Sequence, residues 1–245
     1  MAQISPEELQ KLYWNRFRER QLGRRRVWEI LAGQFFQRWV DPGATVLDLG
    51  AGYGEFLQNI RAGRKLAVDA NRHAAEFWGK GIEALHFDVT SSWPVPGDSV
   101  DCVFTSNFFE HLPDKNALEL CVEQIFAALK PGGVLIAMGP NIRKTGGTYW
   151  DFFDHFIALT ERSLCELLLL QGFTITFCRA GFLFYTMSRA NPTLLETVYP
   201  MLLRIYLRSP ILWSVFGKQF LVVGSKPLLT KAKVTRREAA SSVAS

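Results

Sequence analysis

The sequence has little of what builds disulfide frameworks or spans a bilayer. Its 245 residues include four cysteines, Cys102, Cys121, Cys165 and Cys178. None forms a C-x-x-C pair and each falls in an apolar stretch, so the spacing predicts reduced, buried thiols of a cytoplasmic protein. That excludes a disulfide frame or a cysteine metal site, and no other metal-ligand spacing is read. In the apolar stretch "RAGFLFYTMSRANPTLLETVYPMLLRIYLRSPILWSVFGK", Pro200, Pro210 and the arginines interrupt every apolar run well below the about 20 residues that a membrane helix needs. The start, "MAQISPEELQ", is polar and acidic and lacks a signal-peptide pattern. There is no internal repeat. The basic excess is concentrated in two stretches: residues 11–26, "KLYWNRFRERQLGRRR", hold seven basic residues and one acid. The last stretch, "KPLLTKAKVTRREAASSVAS", is basic without apolar periodicity, which predicts a disordered tail over 226–245.

What is there suffices for a full core, since 48% of the chain is hydrophobic. From residue 44 onward short apolar runs alternate with helical patterns. "TVLDLG" precedes the helix candidate "EFLQNIRAG", and "KLAVDA" precedes "HAAEFWGKG". "IEALHFD" follows, then "SVDCVFTS". In "DKNALELCVEQIFAALK", Leu118, Cys121, Val122, Ile125 and Leu129 make one apolar stripe at helical spacing, which Pro131 ends. "VLIAMG", a helix over "ERSLCELLLLQ" capped by Thr160 and closed by Gly172, "FTITFC" and "QFLVVG" complete the series. Such alternation predicts an α/β fold with a parallel sheet covered on both faces. Ligands of such sheets bind beyond the carboxyl ends of the strands.

"VLDLGAGYGEF" sets Gly50, Gly52 and Gly54 where the first strand turns into a helix. Glycines there admit close approach of a ligand to backbone N–H groups. Asp69 ends the second strand, 21 residues after Asp48, where a carboxylate can accept both hydroxyls of a ribose. Asp88 ends the third, where a carboxylate can take an adenine amino group. Each feature alone is weak, because acids at strand ends often just cap a turn; three at successive strand ends outline an adenosine. A dinucleotide would call for glycine at position 55, but Glu55 stands there and repels a pyrophosphate. It suits a cofactor whose amino-acid end carries an ammonium, and S-adenosylmethionine fits.

"VLDLGAGYGEF", "LAVDAN", "HFDVTSSWPVPGDSVDCVFTSNFFEHLPD" and "LKPGGVLIAMGPN" resemble, in order and spacing, the class I S-adenosylmethionine-dependent methyltransferases. The likeness is strongest to the ubiquinone/menaquinone-type and small-molecule branch and covers about residues 40–180 plus the last strand. It implies a Rossmann-like, seven-stranded methyltransferase sheet whose last strand, "QFLVVG", is antiparallel. By position it implies that Asp48, Gly50, Ala51, Gly52 and Gly54 border the methionine part, and that Asp69 and Ala70 meet the ribose. Asp88 then holds the adenine, Val89 packs on its ring, and Asn107 faces the sulfonium.

For the acceptor side, "SNFFEHLPD" offers His111 as a base, with Glu110 orienting it or serving structurally. The alternative is that "EHLP" only opens the next helix. In "GPNIRKTGGTYWDFFDHFIALT", Tyr149, Trp150, Asp151, Asp154 and His155 line an acceptor pocket, or "YWDFFDHF" is a short packed helix. Nucleic acid ranks low as a partner: "SNFF" lacks the prolines that stack a flipped base, and a pI of about 9.1 alone gives only non-specific attraction. The layout expected is a basic helical lid over 1–40, a methyltransferase domain over 41–225 and a helical insertion over about 181–218. That insertion is apolar and aromatic with arginines, suited to an anionic membrane surface, a pocket cap or a dimer contact. The expected function is methyl transfer to a small or lipid-linked acceptor, such as an isoprenoid, quinone or glycan intermediate, at oxygen, with carbon as the alternative atom. Two rivals stand beside it: a non-catalytic cofactor-binding module docking on membrane or RNA, and a nicotinamide-dependent oxidoreductase, disfavoured by the missing Tyr-x-x-x-Lys.

Overall fold

Strand β1, Thr45–Leu49, shows why the sheet is buried on both faces. Val46 enters one core, and Leu47 and Leu49 enter the other. The computed structural model describes residues 21–184 and 192–228, with Glu8 and Lys11 before them. The same alternation runs through β4, Val100–Ser106, and β7, Gln219–Ser225, so each central strand feeds two hydrophobic layers. With β2, Arg64–Val68, β3, Ile82–Leu85, β5, Leu129–Pro140, and β6, Thr174–Leu183, they form one sheet in the order β3-β2-β1-β4-β5-β7-β6. Only β7 runs antiparallel to its neighbours β5 and β6, as the resemblance implies.

On one face lie α1, Gln21–Ile30, the insertion helices α6, Pro192–Leu207, and α7, Pro210–Phe216, and the short α2, Glu55–Asn59. On the other lie α3, Lys115–Ala128, and α5, Glu161–Leu170. The predicted stripe of α3 is buried as read, through Leu118, Cys121, Val122 and Ile125. Thr160 and Ser163 cap α5 reciprocally, and Gly172 takes a φ of +94° beyond its end. Between β5 and α5 stand a single turn, α4, Ile142–Thr145, and a 3-10 turn, Gly146–Asp151.

Several expectations shift. β3 stops at Leu85, three residues before Asp88, because this edge strand pairs only with β2 and Asp88 instead closes a turn with Thr90. "HAAEFWGKG" is a 3-10 turn, Arg72–Phe77, opened by the Asn71 side chain. α3 ends at Ala128 rather than at Pro131; Leu129 already pairs with Val100, and the prolyl-glycyl stretch falls at a shift in register. The predicted insertion loses 181–183 to β6. The predicted lid is, where described, a packed helix: Val27, Trp28 and Ile30 are core residues. The rest of that lid, residues 185–191 of the insertion and positions 229–245 of the predicted tail lie outside the described residues. Cys102 and Cys121 are buried as expected, whereas Cys165 and Cys178 are half-buried with their sulfurs 3.6 Å apart.

Candidate active site

The carboxyl ends of β1, β2 and β4 converge on the glycine turn. Gly50, Gly52 and Gly54 all have positive φ, +70°, +53° and +76°. A Cβ on Gly50 would stand 2.7 Å from the Phe108 ring, and one on Gly54 would stand 2.6 Å from the Trp78 ring. The glycines are thus required partly by the protein's own aromatics. Trp78 also donates its indole N–H to the Gly52 carbonyl at 2.8 Å. Sequence reasoning missed Trp78 and Phe108, whose only signal is that they are aromatics flanking the motif positions.

The turn's own N–H groups are largely engaged. Gly50 and Ala51 donate to the Val68 carbonyl, and Gly54 donates to Ala51. Gly52 donates to Asp69 Oδ2 at 2.7 Å. The expected free N–H cradle is therefore absent at these four positions. Asp69 accepts a second N–H, from Asn71, on Oδ1 at 2.8 Å, which fixes its carboxylate at the mouth of the turn. Each of its oxygens keeps a further lone pair for a hydroxyl.

Three carboxylates surround the turn. Asp48 is buried, and burial, then Asp69 and Glu55, hold its carboxyl well above the usual range. Burial also raises Asp69, against the two N–H bonds and the nearby His111. Glu55, expected to face a ligand ammonium, instead accepts a hydrogen bond from Arg24 Nε at 2.8 Å, within a nearly buried pair. This arm of α1 over the turn was not legible in the arginine cluster. Ala51 is buried and Ala70 exposed. Asp88 is exposed, with Oδ1 accepting from both the N–H and the hydroxyl of Thr90. Val89 is half-buried and its carbonyl accepts the Trp93 indole N–H. Asn107 takes a φ of +52°, donates its N–H to Met138 and its amide to Ser106 Oγ. A short 3-10 turn, Phe109–His111, follows it.

Past that turn the structure brings two distant segments together. Phe156 and Ile157 donate their N–H groups to the Glu110 carbonyl at 2.8 and 3.2 Å. His111 Nδ1 lies 2.7 Å from the Asp154 carbonyl and 3.4 Å from its carboxylate. His155 stacks on Phe152 at 5.1 Å and meets Tyr149 and His111 edge-on at 4.8 and 5.0 Å. Glu110 is buried, and burial pushes its carboxyl up to about 7, opposed by His111. Of the pocket residues expected after β5, Asp154 and His155 are buried beside His111. Tyr149 is a fully buried core residue whose hydroxyl donates to the Ile157 carbonyl, and Trp150 and Asp151 point outward.

The sheet order, its antiparallel seventh strand and a glycine turn facing an acid beyond β2 define a nucleoside-binding enzyme fold of the methyltransferase type. Residues 14–176 match the methyltransferase domain family, and the chain belongs to it, as a class I S-adenosylmethionine-dependent methyltransferase. Its fold is similar to a chain of the complex between the Haloferax volcanii Trm112 methyltransferase activator and a methyltransferase. That chain is 20% identical, with a TM-score of 0.62 over 87% of this chain and 96% of the other. A SAM-dependent methyltransferase from Archaeoglobus fulgidus is 19% identical, with a TM-score of 0.61 over 88% and 98%. One from Thermotoga maritima is 18% identical, with a TM-score of 0.58 over 87% and 98%. These likenesses concern the fold. No curated protein sequence matches the chain.

The cofactor of the family is S-adenosylmethionine, and the residues present fit it. A turn whose N–H groups are engaged, with the Asp69 carboxylate at its mouth and Asp48 buried beneath it, leaves a pyrophosphate few donors and suits a nucleoside without phosphates, while Glu55 is already matched by Arg24.

Proposed function

We propose that this methyltransferase transfers methyl groups to oxygen on a small or lipid-linked acceptor, with an isoprenoid, quinone or glycan intermediate as the candidate class. The observation that carries this reading is the juxtaposition of the Asp69-anchored turn with the segment that carries His111: Phe108 packs against Gly50, and His111 donates its N–H to the Phe108 carbonyl at 3.0 Å. Asp69 holds the ribose, with Ala70 beside it. Asp48 and the Gly50–Gly54 turn, Ala51 included, border the methionine part, Asp88 and Val89 hold the adenine, and Asn107 stands at the methyl end. When bound, S-adenosylmethionine supplies a sulfonium-borne methyl to an incoming oxygen and leaves as S-adenosylhomocysteine. His111, with Nδ1–H donated to the Asp154 carbonyl, keeps the lone pair on Nε2, so it polarises the acceptor hydroxyl and directs loss of its proton. His155 packs beside it and positions the acceptor.

The lipid-linked reading draws on the insertion. α6 and α7 are anchored to β6 by Tyr206 donating to the Phe182 carbonyl and Trp213 donating to the Tyr206 carbonyl. Lys144, on α4 after β5, donates to the Ser214 carbonyl at 3.0 Å, so α7 adjoins the segment that leads to the proposed acceptor residues. Outward, Val198, Met201, Leu202 and Ile205 form an exposed apolar stripe at helical spacing, continued by Ile211, Val215 and Phe216. The only charged residues from 198 to 218 are Arg204, Arg208 and Lys218, all exposed. Apolar side chains with basic ones around them match an anionic membrane surface. No helix among the described residues is long and apolar enough to cross a membrane.

The test is a label experiment. Protein, methyl-labelled S-adenosylmethionine and host extract are mixed, and products are partitioned between organic and aqueous phases. Label in the organic phase supports the lipid-linked acceptor; label confined to the aqueous phase overturns it and makes the insertion a pocket cap or protein contact. In parallel, Asp69→Ala should weaken S-adenosylhomocysteine binding by about a hundredfold, the loss of two charge-assisted hydrogen bonds. Unchanged affinity would refute the ribose assignment.

A further inference from the structure

We propose that Glu110, His111 and His155 form a site for one divalent transition-metal cation at the acceptor end of the pocket. One ligand atom from each of the three lies within 4.8 Å of the others. Ligands around such a cation, at bond lengths of about 2.0–2.2 Å, stand about 3–3.5 Å apart. A shift of about 1 Å in side chains therefore closes the set on an ion.

The burial pattern points the same way. Glu110 is 2% exposed, and among the described residues no lysine or arginine pairs with its carboxylate. A carboxyl taken out of water is protonated, held by a counter-charge or bound to a metal, and a cation set between it and the two imidazoles would supply that charge. His111 shows the arrangement that stands behind a metal-binding imidazole: Nδ1 donates to the Asp154 carbonyl at 2.7 Å, which fixes the tautomer and leaves Nε2 as the ligand nitrogen. His155 is held by its stack on Phe152, and the two N–H bonds to the Glu110 carbonyl lock the segment carrying it onto the segment carrying Glu110 and His111. The ligands thus come from two distant stretches fastened to each other, as a pre-organised site requires.

Two imidazoles and one carboxylate select zinc, iron(II) or cobalt(II) over magnesium or calcium. Glu110 and His155 are buried, whereas the His111 side chain is 27% exposed, so the site opens on that side to an exchangeable oxygen. For the role of the ion the inference rests on the acceptor reading above. The acceptor hydroxyl would occupy the open position, its pKa would fall, and its proton would pass to water, with His111 holding the ion rather than taking the proton.

Cobalt(II) is the probe. Metal-stripped full-length protein is titrated with it and followed by visible absorption, while S-adenosylhomocysteine binding is measured on the same samples. One cobalt per chain is expected, displaced by zinc, with at least tenfold weaker binding in Glu110→Gln and in His155→Phe, which keeps the ring stack. Wild-type protein that binds S-adenosylhomocysteine but shows no saturable cobalt absorption overturns the metal site and leaves the methyltransferase reading intact. Cobalt affinity unchanged in both variants overturns it too. Cobalt binding lost in the variants, in protein that does not bind S-adenosylhomocysteine, would uphold the metal site and sink the cofactor-site assignment instead.

Discussion

Asp48 sits at the end of β1 with Asp69 and Glu55 close enough to raise its carboxyl, and burial raises it further. A carboxyl whose pKa is higher folded than unfolded contributes stability that is present below the unfolded value, about 3.9. That stability is lost as pH rises through the folded value. Asp48→Asn removes the ionisation, so the variant should gain on the wild type as pH rises. Thermal unfolding at pH 5 and pH 8 checks this: the melting-temperature difference should grow with pH, by about 2–4 °C for each kcal/mol relieved. A difference independent of pH would show that Asp48 carries no charge penalty. If Asp48 borders the methionine part as proposed, the same variant should bind S-adenosylhomocysteine more weakly, because a carboxylate near the ligand's ammonium is lost. Gly54 gives a second residue-scale expectation. Alanine there would need a φ of +76° and would meet Trp78 Cδ1 at 2.6 Å, so Gly54→Ala should destabilise the protein by about 1–3 kcal/mol in denaturant unfolding.

At the scale of elements, α1 and the glycine turn are joined by Arg24 and Glu55, both nearly buried. Removing one partner leaves the other charge uncompensated out of water, whereas removing both does not. A double-mutant cycle with Arg24→Met and Glu55→Gln should therefore show each single change destabilising and the pair partly restoring stability, with a coupling of about 1–3 kcal/mol. Additive losses would mean that the Arg24–Glu55 pair does not couple α1 to the turn, leaving the burial of Val27, Trp28 and Ile30 among the contacts that hold it. The strands and α3 were legible in the sequence because two-residue and 3.6-residue periodicities are local, and the glycine turn because positive φ demands glycine. Arg24–Glu55 was not legible, since nothing in a run of arginines marks the one that turns inward. The start of β5 at Leu129 was hidden for a similar reason: helical periodicity continues through a residue that pairing with Val100 claims for the sheet. Glu110 and His155, 45 positions apart, are brought together by backbone bonds from Phe156 and Ile157 and by the bond from His111 to the Asp154 carbonyl, which sequence spacing does not encode.

For the whole molecule the decisive asymmetry is that one end of the sheet carries the glycine turn and the cluster of Glu110, His111 and His155, while α6 and α7 set an apolar, basic surface beside the α4 turn that follows β5. A protein that only sealed its pocket with these helices would bury the stripe Val198, Met201, Leu202 and Ile205; here the opposite faces, with Leu203, Tyr206 and Leu207, are buried and the stripe is exposed. Co-sedimentation with vesicles separates a bilayer from a protein partner. Each basic residue near an anionic surface contributes about 1 kcal/mol. Arg204, Arg208 and Lys218 should therefore favour phosphatidylserine-containing vesicles over neutral ones by up to about a hundredfold at low salt. The preference should shrink at high salt as the charges are screened. Met201→Glu with Ile205→Glu should abolish binding to both vesicle types while leaving S-adenosylhomocysteine binding unchanged, because both side chains are exposed and on the far side of α6 from the core. Wild-type protein that ignores both vesicle types would make the stripe a protein-contact surface, and the acceptor would then reach His111 from solution.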